Sequence, residues 1–518
     1  MYYFIPAWYP EYRRWYSDTH LWYRVSEQKQ FDDTINQLRM FKQLNKPALI
    51  VQLNYSPNQR VFLQKYGLLE LRYWSVFDTI QNISCSVEKK IDYRKLAWPI
   101  DAEFVYTPFL ISVLSKGEKI ANIEFGETGE IIWIDYFLDR VIHKRYVFDD
   151  RGFLSSILVF KDGKEYYQEY YDNWGAWQIR EYLGEYQERG IIVNPQEYSR
   201  FLKETYRDIS ELIEEKLKTY FSNVLRQDIS AIVIASDMLH DEMIVRNLPT
   251  EKKVLSLFTG RNTIEDFMKS QVLQQVDLVI TDSLKMKEEL SQKNQCHIEQ
   301  VSIFDTRLSL GGSQEKKELI IYCLLDHLSD AQIEELLLTT FDYMRDNDMV
   351  RLQLVSYSES QLEQEKLRQL VFQITEQAPE SYLSILEESG KTRLDINGEE
   401  VISDARINIE FINNVDSINK ALHYARLIVD VSNQPNLYTQ IAGISTGIPQ
   451  INKCVTEYVI DGENGAIISD MQGLLHQYHM YLDGLKNWNR SLVYSVKKIE
   501  EYTSGMIVDR IESLLKYE

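Results

Sequence analysis

Short apolar runs alternate with helical periods over residues 1–97. "YYFIPAW" and "PALIVQLN" predict buried strands, and between them "FDDTINQLRMFKQL" sets Ile35, Leu38 and Phe41 at helical spacing. "LRYWSVFD" predicts a third strand. Strand, helix and strand in that order imply parallel pairing through crossover helices. From Phe104 to Ile192 the period shortens to two. Turn signals at Lys116-Gly117, Glu127-Thr128-Gly129, Arg151-Gly152, Asp162-Gly163 and Trp174-Gly175 separate runs such as "EIIWIDYF" and "FLSSILVF". That rhythm predicts an antiparallel meander, an all-β domain inserted over 98–197.

Past it the first rhythm returns. "YSRFLKETYRDISELIEEKLKTYF" has helical spacing, and "AIVIAS", "KKVLSLFT" and "DLVITDS" predict further buried strands. Residues 1–97 and 198–312 are thus expected to form one discontinuous Rossmann-type domain. The Gly311-Gly312 stretch "RLSLGGSQEKKE" predicts a linker. A second α/β unit is expected over 313–518. "ELIIYCLL", "VRLQLVSY", "ARLIVDVS" and "IPQINK" predict its strands, Ser329 with Gln332 a capping box, Ser358 with Gln361 a second cap, and the residues after Met471 its closing helices.

Composition narrows the function classes. A net charge of −21 argues against a nucleic-acid binder, which needs clustered Lys and Arg. The four cysteines, Cys85, Cys296, Cys323 and Cys454, have no metal-ligand spacing and read as reduced thiols. The start "MYYFIPAWYPEYRRWY" is no signal peptide, and "FVYTPFLISVL" is too short to span a bilayer. A cytoplasmic protein is expected, with peripheral membrane contact at most and no cofactor or metal.

Two facing nucleotide-fold units create a cleft at the carboxyl ends of their strands. There the segment Ser432 to Asp470 resembles the GT-B glycosyltransferases, through Ser432, Gly447-Ile448-Pro449, Glu457 and Asp461-Gly462-Glu463-Asn464-Gly465. The resemblance implies two donor-holding glutamates, but their positions fall on Gln434 (or Pro435) and Ala442, and no acid occurs from Val431 to Thr456. Gln434 and Gln440 accept hydrogen bonds without carrying charge. The Arg and Lys that usually hold the donor diphosphate are missing too. Between Glu318 and Met344 the only cation candidate is His327, preceded by Asp326. Gln434, Ala442, Gly447, Pro449, Asp326 and His327 are therefore expected to mark a vestigial donor site. Where GT-B enzymes often have a glycine-rich turn, this chain has Trp8 and Tyr9, candidates for a partner or glycan contact. His20 and His240 lie near strand ends but have no evident orienting partner. Asp430, Asp461 and Glu463 read as turn and surface groups.

"MYYFIPAWY", "YVFDDRGFLSSI", "SIFDTRLSLGGSQEKKELIIY" and "STGIPQINKCVTEYVIDGENGAI" together resemble one family over nearly the whole chain, accessory Sec system protein 1. That resemblance implies a non-enzymatic GT-B-like fold carrying an added β-domain. It also implies partners: accessory secretion proteins 2 and 3, the accessory Sec ATPase, and a glycosylated serine-rich repeat adhesin as export substrate. The alternative is an active glycosyltransferase that adds sugar from a UDP donor to Ser or Thr of repeat-rich adhesins.

Overall fold

Three sheets organise the computed structural model, which describes residues 1–17, 19–24, 31–84, 89–224, 229–248, 252–267, 271–306, 309–358, 360–377, 406–412 and 414–516. The first is parallel and seven-stranded, in the order Ile298–Gln300, Leu278–Thr281, Lys253–Leu257, Ala231–Ala235, Tyr2–Ile5, Ala48–Gln52 and Arg72–Ser75. Its central strands are apolar on both faces because helices cover both. Tyr3 and Ile5 join one core while Tyr2 and Phe4 join the other.

The second sheet is a ten-stranded antiparallel meander in which each strand pairs with its sequence neighbour, from Glu103–Tyr106 to Thr205–Tyr206. It continues past residue 197. The helix expected across 198–221 begins only at Ile209, because Tyr206 is used in the last strand pair.

Buried polar contacts seat the meander on the first sheet. Gln81 donates to the carbonyls of Ser155 and Tyr171 at 2.9 and 2.7 Å, and the Tyr55 hydroxyl donates to Ser155 and Ser156. Arg151 forms paired hydrogen bonds to Asp78 and to Asp149. Gly152 beside it has φ +87°, and a Cβ there would lie 1.6 Å from the Lys89 carbonyl oxygen, so only glycine fits the turn.

The third sheet is parallel and six-stranded: Ile407–Phe411, Val350–Ser356, Leu319–Leu324, Ala425–Asp430, Gln450–Asn452 and Gly465–Ile467. The capping box of Ser329 and Gln332 is present and opens the helix Asp330–Arg345. Ser329→Ala should cost about 0.5–2 kcal/mol, read as a lower urea midpoint. The next helix, Gln361–Gln377, is capped differently from expectation. Ser360 accepts from the Glu363 N–H, while Ser358 donates to the Glu363 carboxylate. "LRYWSVFD" divides too: Arg72–Ser75 is strand and Val76–Gln81 is helix, with Ser75 as its cap.

The closing helices separate. Met471–Leu482 packs Leu474 and Tyr478 into the third sheet's core. Ser504–Leu514 returns to the first sheet, burying Ile507, Val508 and Ile511 beside Tyr2, Phe4 and Phe41. Glu512 accepts there from the Tyr2 hydroxyl and from Lys46 at 2.9 and 2.7 Å. Cys296, Cys323 and Cys454 are free thiols, and Cys85 lies outside the described residues. No described helix is long and apolar enough to cross a membrane.

Candidate functional site

Three strands of the third sheet end side by side, at residues 324, 356 and 430, and their loops enclose a cavity of about 830 Å³. Asp326, His327, Asp430 and Gln434 all line it, so the fold brings together two pairs of positions that lie more than a hundred residues apart in sequence. His327 is exposed and adopts the left-handed backbone at φ 61°, and Gln434 is exposed at the rim.

Two carboxylates of this cavity are committed to the chain itself. Asp326 accepts from the Ser356 hydroxyl at 2.6 Å and from the Tyr357 N–H at 2.8 Å. Asp430 accepts from the Ser432 N–H and hydroxyl at 3.1 and 2.8 Å and from the Asn436 N–H at 2.8 Å. Asp430 is only 4% exposed, so it is a buried organiser of its turn and not the surface group expected. Burial raises its carboxyl above the usual range, and the three hydrogen bonds oppose that rise. Tyr357 bridges the floor, its hydroxyl 2.8 Å from that of Tyr322 and 2.6 Å from Thr439.

Asp330 and Glu363 add two further carboxylates to the lining. Against them stands Lys366, a cation that the sequence reading missed because it lies on the helix after the neighbouring strand. A diphosphate entering this cavity would face four carboxylates. Each like-charge pair at about 4–7 Å costs roughly 2–4 kcal/mol at an effective dielectric near 20.

The other expected donor-site positions are structural. Ala442 is 5% exposed and packs in the core with Ile428 and Ile448. Gly447 ends the helix Leu437–Thr446 with φ 75°, and its added Cβ would sit 2.2 Å from Leu492 Cδ1. The Pro449 carbonyl accepts from the Ile428 N–H between neighbouring strands. At the front of that helix Tyr438 packs on Phe31 and Phe304, ring centroids 5.1 and 5.3 Å apart, so aromatic rings from both parallel-sheet units meet there.

The first sheet repeats the pattern of internally used acids. Asp241 accepts from the Asp237 N–H and the Ser236 hydroxyl, and Asp282 from the Thr259 N–H and hydroxyl. Burial pushes them up to about 7 and about 6. Arg261 clamps the fully buried Asp33 with two bonds at 3.0 and 2.9 Å.

His240 is fully buried, and desolvation lowers its pKa to about 4. Its Nε2–H donates to the Ala235 carbonyl, which leaves Nδ1 to accept from the Tyr9 hydroxyl at 2.5 Å. This neutral, enclosed imidazole is a structural link. Trp8 is 4% exposed, donates Nε1–H to Asp32 at 3.0 Å and packs on Phe62. Trp8, Tyr9 and the exposed His20 line a second cavity of about 490 Å³ beside the meander. Asp461 accepts from the Ile467 N–H and Glu463 pairs with Arg490, turn and surface roles as expected. Among the described residues no three His, Cys, Asp or Glu side chains gather as a metal site.

Comparison with known proteins places this geometry. The family model described as the accessory Sec system protein 1 family matches residues 1–518. The curated member from Streptococcus gordonii is 36% identical over 527 residues, covering 100% of this chain and 99% of its own. The Staphylococcus aureus member is 33% identical over 530 residues, with the same coverage. A solved Glycosylation Associate Protein (Gap123) complex from Streptococcus agalactiae aligns at TM-score 0.78 and 38% identity, covering 99% of this chain and 100% of the matched one. The accessory secretory protein 1, 2 and 3 structure from Streptococcus pneumoniae aligns at 0.78 and 34%, covering 100% and 99%. The pneumococcal O-GlcNAc transferase GtfA, at TM-score 0.66 and 11% identity over 99% of this chain and 98% of its own, shares the GT-B-like fold.

Proposed function

Since the chain belongs to the accessory Sec system protein 1 family and so has a role in the accessory Sec system, we propose that it acts there as a non-catalytic scaffold. In this reading it joins accessory secretion proteins 2 and 3 in the cytoplasm and helps bring a glycosylated serine-rich repeat adhesin to the accessory Sec ATPase. A relative solved together with accessory secretory proteins 2 and 3 supports the assembly step.

One observation carries the non-catalytic part. Free backbone amides can hold a phosphate, and at these strand ends the chain directs its own carboxylates at three of them. Asp326 takes the Tyr357 N–H, and Asp430 takes those of Ser432 and Asn436. The donors are used, and the charge beside them has the wrong sign. GT-B-like architecture then supplies surface, and surface is what a scaffold needs.

Calorimetric titration with UDP-GlcNAc and UDP-glucose up to millimolar concentration should give no saturable heat, and no sugar should pass to a serine-rich peptide. Saturable binding with turnover would install the glycosyltransferase alternative. Separately, the purified chain should co-elute with co-expressed proteins 2 and 3, and failure to do so would sink the scaffold role.

A further inference from the structure

Among the described residues, the meander ends in an uncovered edge. Glu103–Tyr106 is the last strand of the ten-stranded sheet and pairs on one side only, with Ile111–Ser115. Val105 is 43% exposed and Tyr106 60%, and Ile100, Phe109 and Trp22 are further exposed apolar side chains near it. Trp22 reaches the same loop, donating Nε1–H to the Phe109 carbonyl at 3.0 Å. Edge strands are ordinarily guarded by lysines, inward charges or a covering element. Here the one charge on the strand is Glu103 at its start, and Pro99 and Pro108 do no more than limit its length. The sheet's other edge is the two-residue strand Thr205–Tyr206, too short to offer a comparable ladder.

Hydrogen-bond parity decides which backbone groups are free. The Thr107 N–H donates to the Leu110 carbonyl at 3.0 Å, and bonded pairs of an antiparallel ladder recur every second residue. The inward pairs are therefore Val105 with Ser112 and Glu103 with Leu114. The N–H and C=O groups of Phe104 and Tyr106 point out of the sheet. A second copy of the strand can take both. A twofold axis normal to the sheet, passing between two Val105 residues, sets Phe104 of each copy against Tyr106 of the other and forms about four hydrogen bonds. On one face the pairs are then aromatic, beside Tyr93, whose ring lies 5.5 Å from that of Phe104. On the other face Val105 meets Val105, and Glu103 meets Thr107 instead of a like charge. The strand complements itself.

We propose that the edge Glu103–Tyr106 is a self-association surface, on which a second copy of this chain adds its own edge strand antiparallel about Val105. The inference is independent of the scaffold reading. So short a strand makes a small interface, and the expected dissociation constant is roughly 1–100 μM. Each copy carries a net charge of −21, so added salt should tighten the dimer by screening their repulsion.

Sedimentation velocity on the purified full chain at about 1–200 μM should show a reversible monomer–dimer equilibrium. Val105→Lys and Val105→Glu each oppose like charges across the axis and should weaken the dimer by roughly tenfold or more. An equimolar mixture of the two variants should regain association at least to the parent's level, because each residue faces its own counterpart. A parent that stays monomeric, parent-like association by either variant alone, a mixture that regains nothing, or a dimer that salt dissolves would each overturn the proposal. If the parent is monomeric and Val105→Lys loses co-elution with proteins 2 and 3, the edge belongs to a different partner and the self-association reading falls.

Discussion

Arg151→Met is expected to destabilise the chain by about 3–5 kcal/mol, because it strands two carboxylates that the guanidinium neutralises. The arginine side chain is 10% exposed and those of Asp149 and Asp78 are 6% and 26% exposed. Its four hydrogen bonds span 2.7–2.9 Å, with Nε and Nη2 on Asp149 and Nη1 and Nη2 on Asp78. Asp149 opens the turn of the meander, while Asp78 lies in the first turn of the helix Val76–Gln81, so the pair of forks joins two sheets. Methionine preserves most of the apolar stem and removes the charge, which separates electrostatic loss from packing loss. Urea denaturation should show the early loss of meander fluorescence. Adding Asp149→Asn should recover part of the deficit, and no recovery would mean that packing, not charge, dominates.

Glu457→Gln carries an expectation of opposite sign. Glu457 lies where the loop before Gly465–Ile467 meets the first sheet, accepting from Gln300 Nε2, and its second oxygen is buried without a partner. Burial, followed by the nearby negative charge of Asp282, raises its pKa from 4.5 to about 7. Between those values the folded chain keeps a proton that the unfolded chain has released. Stability therefore falls as pH climbs through that window, by up to about 3 kcal/mol for this group. Glutamine has no such charge to bury. The variant should match the parent near pH 4.5 and exceed it by about 2–3 kcal/mol at pH 8. Urea midpoints at both pH values test this, and a constant gap would show that the carboxyl is not the cause.

Much of the fold was legible because its signals are local. The period-two runs from Phe104 to Ile192 and the Ser329 capping box need only neighbouring residues to be recognised, and both are present. The strand Ile407–Phe411 was missed because its run "INIEF" alternates too briefly to stand out. "WSVF" hid the onset of a helix, because the polar Ser75 reads as one step of a strand's alternation when it is the helix cap. The helix Ser504–Leu514 announced a buried face without saying against what, and its partner strand begins at Tyr2. The site divided the same way. Absence of acid from Val431 to Thr456 is a sequence fact, but only coordinates place Asp430 on the Asn436 N–H. The place of Lys366 in the cavity depends on a neighbouring strand that spacing cannot reveal.

The return of Ser504–Leu514 to the first sheet bears on how the chain is made. Tyr2 and Glu512 bond across 510 positions, so a ribosome delivers the cover of the first unit long after it has delivered the strand beneath. At about 5–20 residues per second, roughly half a minute to two minutes separate the two. During that interval Tyr2, Phe4 and Phe41 lack the apolar cover of Ile507, Val508 and Ile511. A nascent chain without that helix thus shows a different surface, and any partner that reads the closed face receives only copies that carry it.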